Sequence, residues 1–369
     1  MVSIVLPTYN GARYLRESVD SIICQTMTDW ELIIVDDCST DATPQIADEY
    51  ARCDTRIHVI HNAVNQKLPR SLNIGFASAR GEYLTWTSDD NIYMPEAIGA
   101  MQMALDEHPE YPMVCADMYT IDENGDTLGK IPPYQARTMF IEDTVGACFM
   151  YRHTVIDRIG GYDPNWFLVE DYAYWLQILL HVGRIYRVPQ TLYYYRVHSA
   201  SLTGRRRAKI LARHGELMLS QLDEIIERYC SDQAMLYNVY YRIMECGKYS
   251  EAMREKIAAV LPEINREIQG LPEENVLIFG AGEYGHKAYQ LLEDKCLCFI
   301  DNAKDKQGTA LYQKPIYSLE RARELYPQSD IVVAVAGHNI GDVILQLRRY
   351  GIDRYYTCLA IDKAVVTES

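Results

Sequence analysis

The feature that most restricts this chain is the alternation across its first hundred residues. Short β-rich runs at 2–6, 31–35, 57–61 and 83–87 are separated by amphipathic stretches at 12–25, 43–52 and 69–79. A β-α-β-α order joins strands through helical crossovers, so it predicts a mainly parallel sheet. Ligands of such sheets lie beyond the carboxyl ends of the strands. Three polar clusters fall there: Thr8-Tyr9-Asn10, Asp36-Asp37 and Ser88-Asp89-Asp90. The pattern brings all three to one edge.

The 369 residues leave room for two to three domains. A first α/β domain is expected over 1–202. A helical connector follows at 203–270, with helices over 207–229, 234–246 and 250–268 and with Gly247 and Gly270 as stops. A second α/β domain over 271–369 carries strands in NVLIFG, CLCFID and DIVVAVAG, and the last eleven residues add little signal. Lys and Arg number 36 against 51 Asp and Glu, a formal charge of −15. That balance argues against a nucleic-acid partner, and any anionic ligand must be held by cations or dipoles gathered at one site.

The amino end reads as a strand rather than a secretion signal, and no run approaches the roughly 20 apolar residues that span a bilayer. Ten cysteines without a CxxC pair read as free thiols of a reducing compartment. The expected location is cytoplasmic, with peripheral membrane contact and homo-oligomerisation left open.

The stretches VSIVLPTYNGARYL, WELIIVDDCSTDAT and ARGEYLTWTSDDNIYMP, with the acidic pair in VEDYAYWLQ, resemble the family 2 glycosyltransferases of the GT-A fold. They cover about 200 residues in the family's order. The fold class implied is α/β: a GT-A domain, the connector, and a small C-terminal Rossmann-like domain. The activity implied is metal-dependent and inverting, of hexosyltransferase type. It would move a sugar from a nucleotide diphosphate to a hydroxyl of a glycan, lipid-linked or protein acceptor, in the building of a polysaccharide or other glycan.

Chemistry supports that reading independently. Such a transfer needs charge stabilisation on the departing phosphates and a base for the attacking hydroxyl. A divalent cation such as Mn2+ or Mg2+ between carboxylate and phosphate oxygens does the first. By resemblance, Asp90 is the metal ligand and Asp89 the ribose or donor-sugar contact. Asp37 accepts from the imino N–H of a pyrimidine, Tyr9 stacks on the base, and Pro7 and Thr8 border it. An imino donor points to uracil or thymine, hence a UDP-sugar first and a thymidine diphosphate sugar second. Asp171 of the Glu170-Asp171 pair is the base, with Glu170 beside the donor. Gly146 belongs to a glycine loop next to the donor sugar, and His198 contacts the diphosphate or the metal.

Each assignment has a plainer structural alternative. Asp36-Asp37-Cys38-Ser39 also reads as an Asx turn, Asp89-Asp90-Asn91 as a solvated turn, and Glu170-Asp171 as a helix start. Trp175 is either a wall of the acceptor site or core, and Tyr193, Tyr194 and Tyr195 should split between core and ligand wall because strand neighbours alternate faces. Thr87 stands where many relatives have a further Asp. Leu72-Asn73 stands where many have Arg-Asn, leaving Lys67 or Arg70 to supply a cation. Arg205, Arg206, Arg207, Lys209 and Arg213 crowd the start of an expected helix, where they oppose the macrodipole. Their anion would be the donor diphosphate, a phosphate-bearing acceptor or a membrane lipid; the alternative is a solvated basic face.

A second motif lies at Gly280, Gly282 and Gly285, a GxGxxG between strand and helix, with Asp301 after the next strand. This is the arrangement of a dinucleotide fingerprint and makes NAD or another nucleotide a candidate ligand, against a scaffold or oligomerisation role. Glu283 opposes it, because a carboxylate competes with a pyrophosphate for the same helix end. Two other function classes therefore stand beside the transferase: an NAD-dependent sugar-nucleotide oxidoreductase, and a non-catalytic sugar-nucleotide-binding or assembly module.

Overall fold

The computed structural model describes residues 1–268, 270 and 272–359; the low-signal terminus lies outside them from 360 onward. The chain divides into two compact units, Met1–Arg213 and a second beginning at His214. The division falls inside the stretch read as a connector.

In the first unit β1 (Val2–Thr8), α1 (Leu15–Ile23), β2 (Trp30–Asp36), α2 (Thr43–Cys53), β3 (Ile57–His61), α3 (Leu68–Phe76) and β4 (Tyr83–Trp86) follow the expected alternation. Then come β5 (Ile92–Tyr93), α4 (Ala97–Glu107), β6 (Met113–Ile121), β7 (Thr127–Lys130), β8 (Phe149–Arg152), α5 (Thr154–Ile159), α6 (Glu170–Gln177), β9 (Ile185–Arg196) and α7 (Leu202–Ser220). The sheet order is β3-β2-β1-β4-β8-β6-β9-β5, with β7 on β6. Pairing is parallel from β3 through β4 and antiparallel at β8 on both sides, so the parallel expectation holds for the amino-terminal half of the sheet.

Every residue of β1 and β2 is buried, as a central strand covered on both faces requires. Val2, Ile4 and Leu6 pack with Leu15, Val19 and Ile22 of α1, Ile46 of α2 and Met101 of α4. Val5 turns to the other face, where a Cβ at Gly75 of α3 would lie 2.4 Å from its Cγ1. Close packing of this kind sets the carboxyl ends of β1, β2 and β4 level along one edge.

The second unit holds α8 (Leu222–Tyr229), α9 (Gln233–Glu245) and α10 (Glu251–Val260). Its second sheet is built from β10 (Val276–Phe279), α11 (Glu283–Leu292), β11 (Cys296–Ile300), β12 (Ala310–Leu311), β13 (Lys314–Tyr317), α12 (Leu319–Leu325), β14 (Asp330–Val333), α13 (Gly337–Arg349) and β15 (Tyr356–Thr357). The six strands run β12-β13-β11-β10-β14-β15, parallel except for the β12–β13 hairpin.

Two expected helices are corrected. The one read over 250–268 stops at Val260 and gives way to a 3₁₀ turn at Pro262–Arg266, because Pro262 has no N–H and disfavours helical geometry in the residue before it. The one read over 207–229 starts earlier, at Leu202, and is split by Gln221 into α7 and α8. Among the described residues no helix is long and apolar enough to cross a membrane.

Candidate active site

Two left-handed turns begin the site. Asn10 (φ 56°) follows β1 and Cys38 (φ 65°) follows β2. Asn10 binds the second turn twice: its N–H donates to Ser39 Oγ at 2.9 Å, and its side-chain oxygen accepts from the Thr40 N–H at 2.8 Å. Asp36 accepts from the Ser39 N–H at 3.1 Å, so the expected Asx turn forms. Its neighbour Asp37 does something else. Its Oδ1 accepts from Asn62 Nδ2 at 2.9 Å and the Gln66 N–H at 2.6 Å, and its Oδ2 from the Lys67 N–H at 2.9 Å. The buried carboxylate thereby closes the loop before α3 and fixes Lys67 at φ 71°.

Above these turns opens a cleft of about 1200 Å³, and the eleven residues singled out for the first site all line it. Pro7, Thr8 and Tyr9 lie at the end of β1, with the Tyr9 ring half exposed at 52%. Asp37 and Lys67 line it beyond β2, Asp89 and Asp90 beyond β4. Gly146, Glu170 and Asp171 line it from the loop before β8 and the first turn of α6, and His198 from the segment after β9. Residues as distant in the chain as Pro7 and His198 thus share one cavity.

Asp89 accepts a short hydrogen bond from Thr8 Oγ1. Burial, and then the charge of Asp90, pushes its carboxyl up to about 7. Gly11 makes this approach possible, since a Cβ there would lie 1.8 Å from Asp89 Oδ2. Asp90 Oδ2 sits 3.0 Å from His198 Nε2, and the imidazole rests on the Tyr14 ring with its Nδ1 buried and unpartnered. The Asp90 carboxylate and the His198 imidazole, here bonded to each other, are donor types that a divalent cation such as Mn2+ takes, with substrate phosphate oxygens to complete its shell. Among the described residues no group of three or more His, Cys, Asp or Glu forms a self-sufficient metal centre.

Three more carboxyls line the cleft. Asp171 accepts from the Tyr172 N–H at 2.7 Å, and Glu170 accepts from the N–H of Leu168, itself at φ 85°. Asp143 is the third; its Oδ1 accepts from the Val145 N–H at 2.9 Å. Burial raises all three. The nearby Asp171 charge adds to it for the other two, taking Asp143 and Glu170 to about 8. Asp143 is absent from the sequence reading because no motif surrounds it and its neighbours come from distant parts of the chain. Gly11 and Arg13, which also line the cleft, fall inside the VSIVLPTYNGARYL stretch, but the sequence does not show what a glycine or an arginine there would face. Gly146 adopts φ 72°, where a Cβ would also strike Met118 Cε at 2.1 Å.

Some candidates resolve to core. Trp175 is wholly buried and packs edge-on against Phe149 at 4.4 Å, so it forms no wall of the cleft. Thr87 is buried and pairs with the Tyr193 hydroxyl at 2.5 Å. Strand alternation sets Tyr194, stacked on Tyr119, apart from Tyr193 and Tyr195, which share a face: Tyr193 is core, and Tyr195 packs against that core and also lines the cleft. Leu72 is buried, while Asn73 clamps Tyr162 through both its backbone groups.

In the second unit Gly280, at φ 122°, lies where a Cβ would meet Ala334 O at 2.2 Å, and a Cβ at Gly285 would meet Gly280 O at 2.1 Å. A Cβ at Gly282 would meet nothing. Asp301 is already engaged: Oδ2 accepts from the Ala281 N–H and from Lys306 Nζ, both at 3.0 Å, and Oδ1 from the Ala303 N–H at 2.9 Å. The acid that would hold a ribose is spent on the loop itself, and Glu283 heads α11. This arrangement does not fit NAD.

The model of the glycosyl transferase family 2 matches residues 3–160. EpsE of Bacillus subtilis (strain 168), named as a glycosyltransferase, is 31% identical over 210 residues, covering 55% of this chain and 76% of EpsE. TuaG of the same organism, named as a teichuronic acid biosynthesis glycosyltransferase, is 28% identical over 218 residues, covering 56% and 82%. The solved mannosyltransferase PcManGT of Pyrobaculum calidifontis, in complex with GDP-Man and Mn2+, aligns with a TM-score of 0.50 at 16% identity over 71% of this chain and 79% of that one. At that identity the likeness is one of fold. With its matched segment, its sheet and its relatives in agreement, the chain belongs to glycosyl transferase family 2.

Proposed function

We propose that this glycosyltransferase takes its sugar from a nucleoside diphosphate donor, a UDP-sugar first, and passes it with inversion to a hydroxyl of a glycan, lipid-linked or protein acceptor. One observation carries the reading: Tyr9, Asp37, Asp89, Asp90, His198 and Asp171 line a single cleft.

The half-exposed Tyr9 ring offers a stacking face for the base. Asp37 Oδ2 accepts only from the Lys67 N–H, whereas Oδ1 accepts from both the Asn62 side-chain amide and the Gln66 N–H, so Oδ2 keeps acceptor capacity for an imino N–H. Asp89 meets the ribose or the donor sugar. Asp90 and His198 would hold a divalent cation, which when bound supplies charge neutralisation on the diphosphate. Asp171 takes the proton of the acceptor hydroxyl, whose oxygen attacks the anomeric carbon from the face opposite the leaving diphosphate. The configuration inverts in that single displacement, and no covalent enzyme intermediate forms. Burial raises the carboxyls of Asp143, Glu170 and Asp171 alike, so this part of the cleft favours proton-holding groups, as a residue that receives a proton from the acceptor requires.

The test is thermal stabilisation by UDP-, thymidine diphosphate- and GDP-sugars with and without Mn2+, since a ligand of the folded state raises the melting temperature. A UDP-sugar should raise it most, and more with the metal. No shift with any donor sinks the proposal.

A further inference from the structure

Helix α7 opens with Leu202-Thr203-Gly204-Arg205-Arg206-Arg207-Ala208-Lys209, and all eight residues are exposed. From Leu202 through Gly215 there are five Arg or Lys and no acidic residue, in a chain of formal charge −15. The helix is interrupted at Arg206 (φ −127°, ψ 19°). Among the described residues Arg205, Arg206, Arg207 and Lys209 have no carboxylate within ion-pair distance. Exposed cations at a helix amino end oppose the backbone dipole, so the arrangement lowers stability until an anion is bound.

The row has a direction. At its start the Arg205 N–H donates to Ser201 O at 3.1 Å, and Ser201 in turn binds the carbonyl of His198, beside Asp90. At its far end Arg213 donates to the Asn165 carbonyl and lies 4.9 Å over the Trp166 ring, in the segment that leads to Glu170 and Asp171. Arg205, Arg206 and Ile210 line the mouth of the cleft. The cations therefore run from the donor-phosphate end toward the carboxylate that must meet the acceptor. A cation-neutralised diphosphate at the first end leaves the rest of the row without an anion.

We propose that Arg205, Arg206 and Lys209 bind a phosphate group carried by the acceptor, so that the accepting hydroxyl belongs to a phosphorylated molecule rather than a neutral glycan. This rests on the donor reading given above. Guanidinium groups suit phosphate oxygens through paired N–H donors, and the exposed rim admits a bulky substrate. The phosphate is either free in solution, as on a glycan, or borne by a lipid at a membrane surface.

The experiment uses the full chain and an R205Q/R206Q/K209Q variant; the positions are exposed and their charges oppose the helix dipole, so the melting temperature should hold or rise. UDP and Mn2+ are first added to saturation, and UDP affinity is recorded for both proteins. Inorganic pyrophosphate is then titrated, and pelleting is measured with vesicles of phosphatidylcholine alone and of phosphatidylcholine mixed with phosphatidylglycerol. Pyrophosphate should bind the UDP-loaded protein and weaken by roughly tenfold or more in the variant, as loss of charged hydrogen bonds implies, while UDP affinity changes less. Pelleting with the anionic vesicles alone, lost in the variant, identifies a lipid-borne phosphate. Pyrophosphate binding without pelleting identifies a free one. The proposal is overturned if neither probe binds, or if the variant loses UDP affinity as strongly as pyrophosphate affinity, since the row then serves the donor. Absence of UDP binding in the unaltered protein strikes the donor reading instead.

Discussion

Asp143 shows how a single carboxyl ties stability to pH. Burial and the charge of Asp171 raise it to about 8, against an ordinary value of 3.8. The folded state therefore holds a proton that the unfolded chain releases. Its contribution to stability is complete below the unfolded value and declines as pH climbs from about 4 through about 8. Asparagine cannot ionise, so Asp143→Asn should escape that decline. Melting curves should show the variant gaining on the unaltered protein by several degrees between pH 5 and pH 9. A constant difference across that range would mean Asp143 is not held protonated. This residue also marks a limit of sequence reading. Asp89-Asp90 and Glu170-Asp171 announce themselves as pairs at element ends, whereas Asp143 and Gly11 gain their place only from what folds next to them.

Among the elements, the parallel half was legible because local signals agree. Apolar runs of strand length, helical periodicity and turn residues all mark β1 through β4 at nearly their observed limits. Short strands such as β5 and β7 are not legible, for two to four residues carry no periodicity, and the partner of β5, in β9, lies far off in sequence. The helices of the second unit were legible in number but not in extent, since Pro262 ends one where apolar spacing continues.

The packing of α9 on α13 makes a prediction that propensity alone would reverse. Gly341 lies within α13, where alanine ordinarily stabilises by about 1 kcal/mol. Here the added Cβ would sit 2.2 Å from Ala234 O of α9, and the Gly341 N–H donates to Asn238 Oδ1 at 2.7 Å. Backbone cannot yield as a side chain does, and overpacking costs about 1–3 kcal/mol. Gly341→Ala should therefore lower the urea midpoint of unfolding. A raised midpoint would show that the helices separate without cost.

At the scale of the whole molecule, a strongly acidic chain gathers four consecutive or near-consecutive cations, Arg205, Arg206, Arg207 and Lys209, at the start of α7, where a phosphate-bearing ligand would enter. The sheet does the remaining work by bringing strand ends, the start of α6 and the segment after β9 to one cavity. Asp171→Asn separates binding from chemistry there. It removes the proposed base while keeping the size of the side chain and the donor side of the cleft. With a UDP-sugar, Mn2+ and a competent acceptor, the variant should keep UDP affinity close to that of the unaltered protein and turn over about 10² to 10⁴ times more slowly. Turnover left unchanged by the substitution would contradict Asp171 as the base.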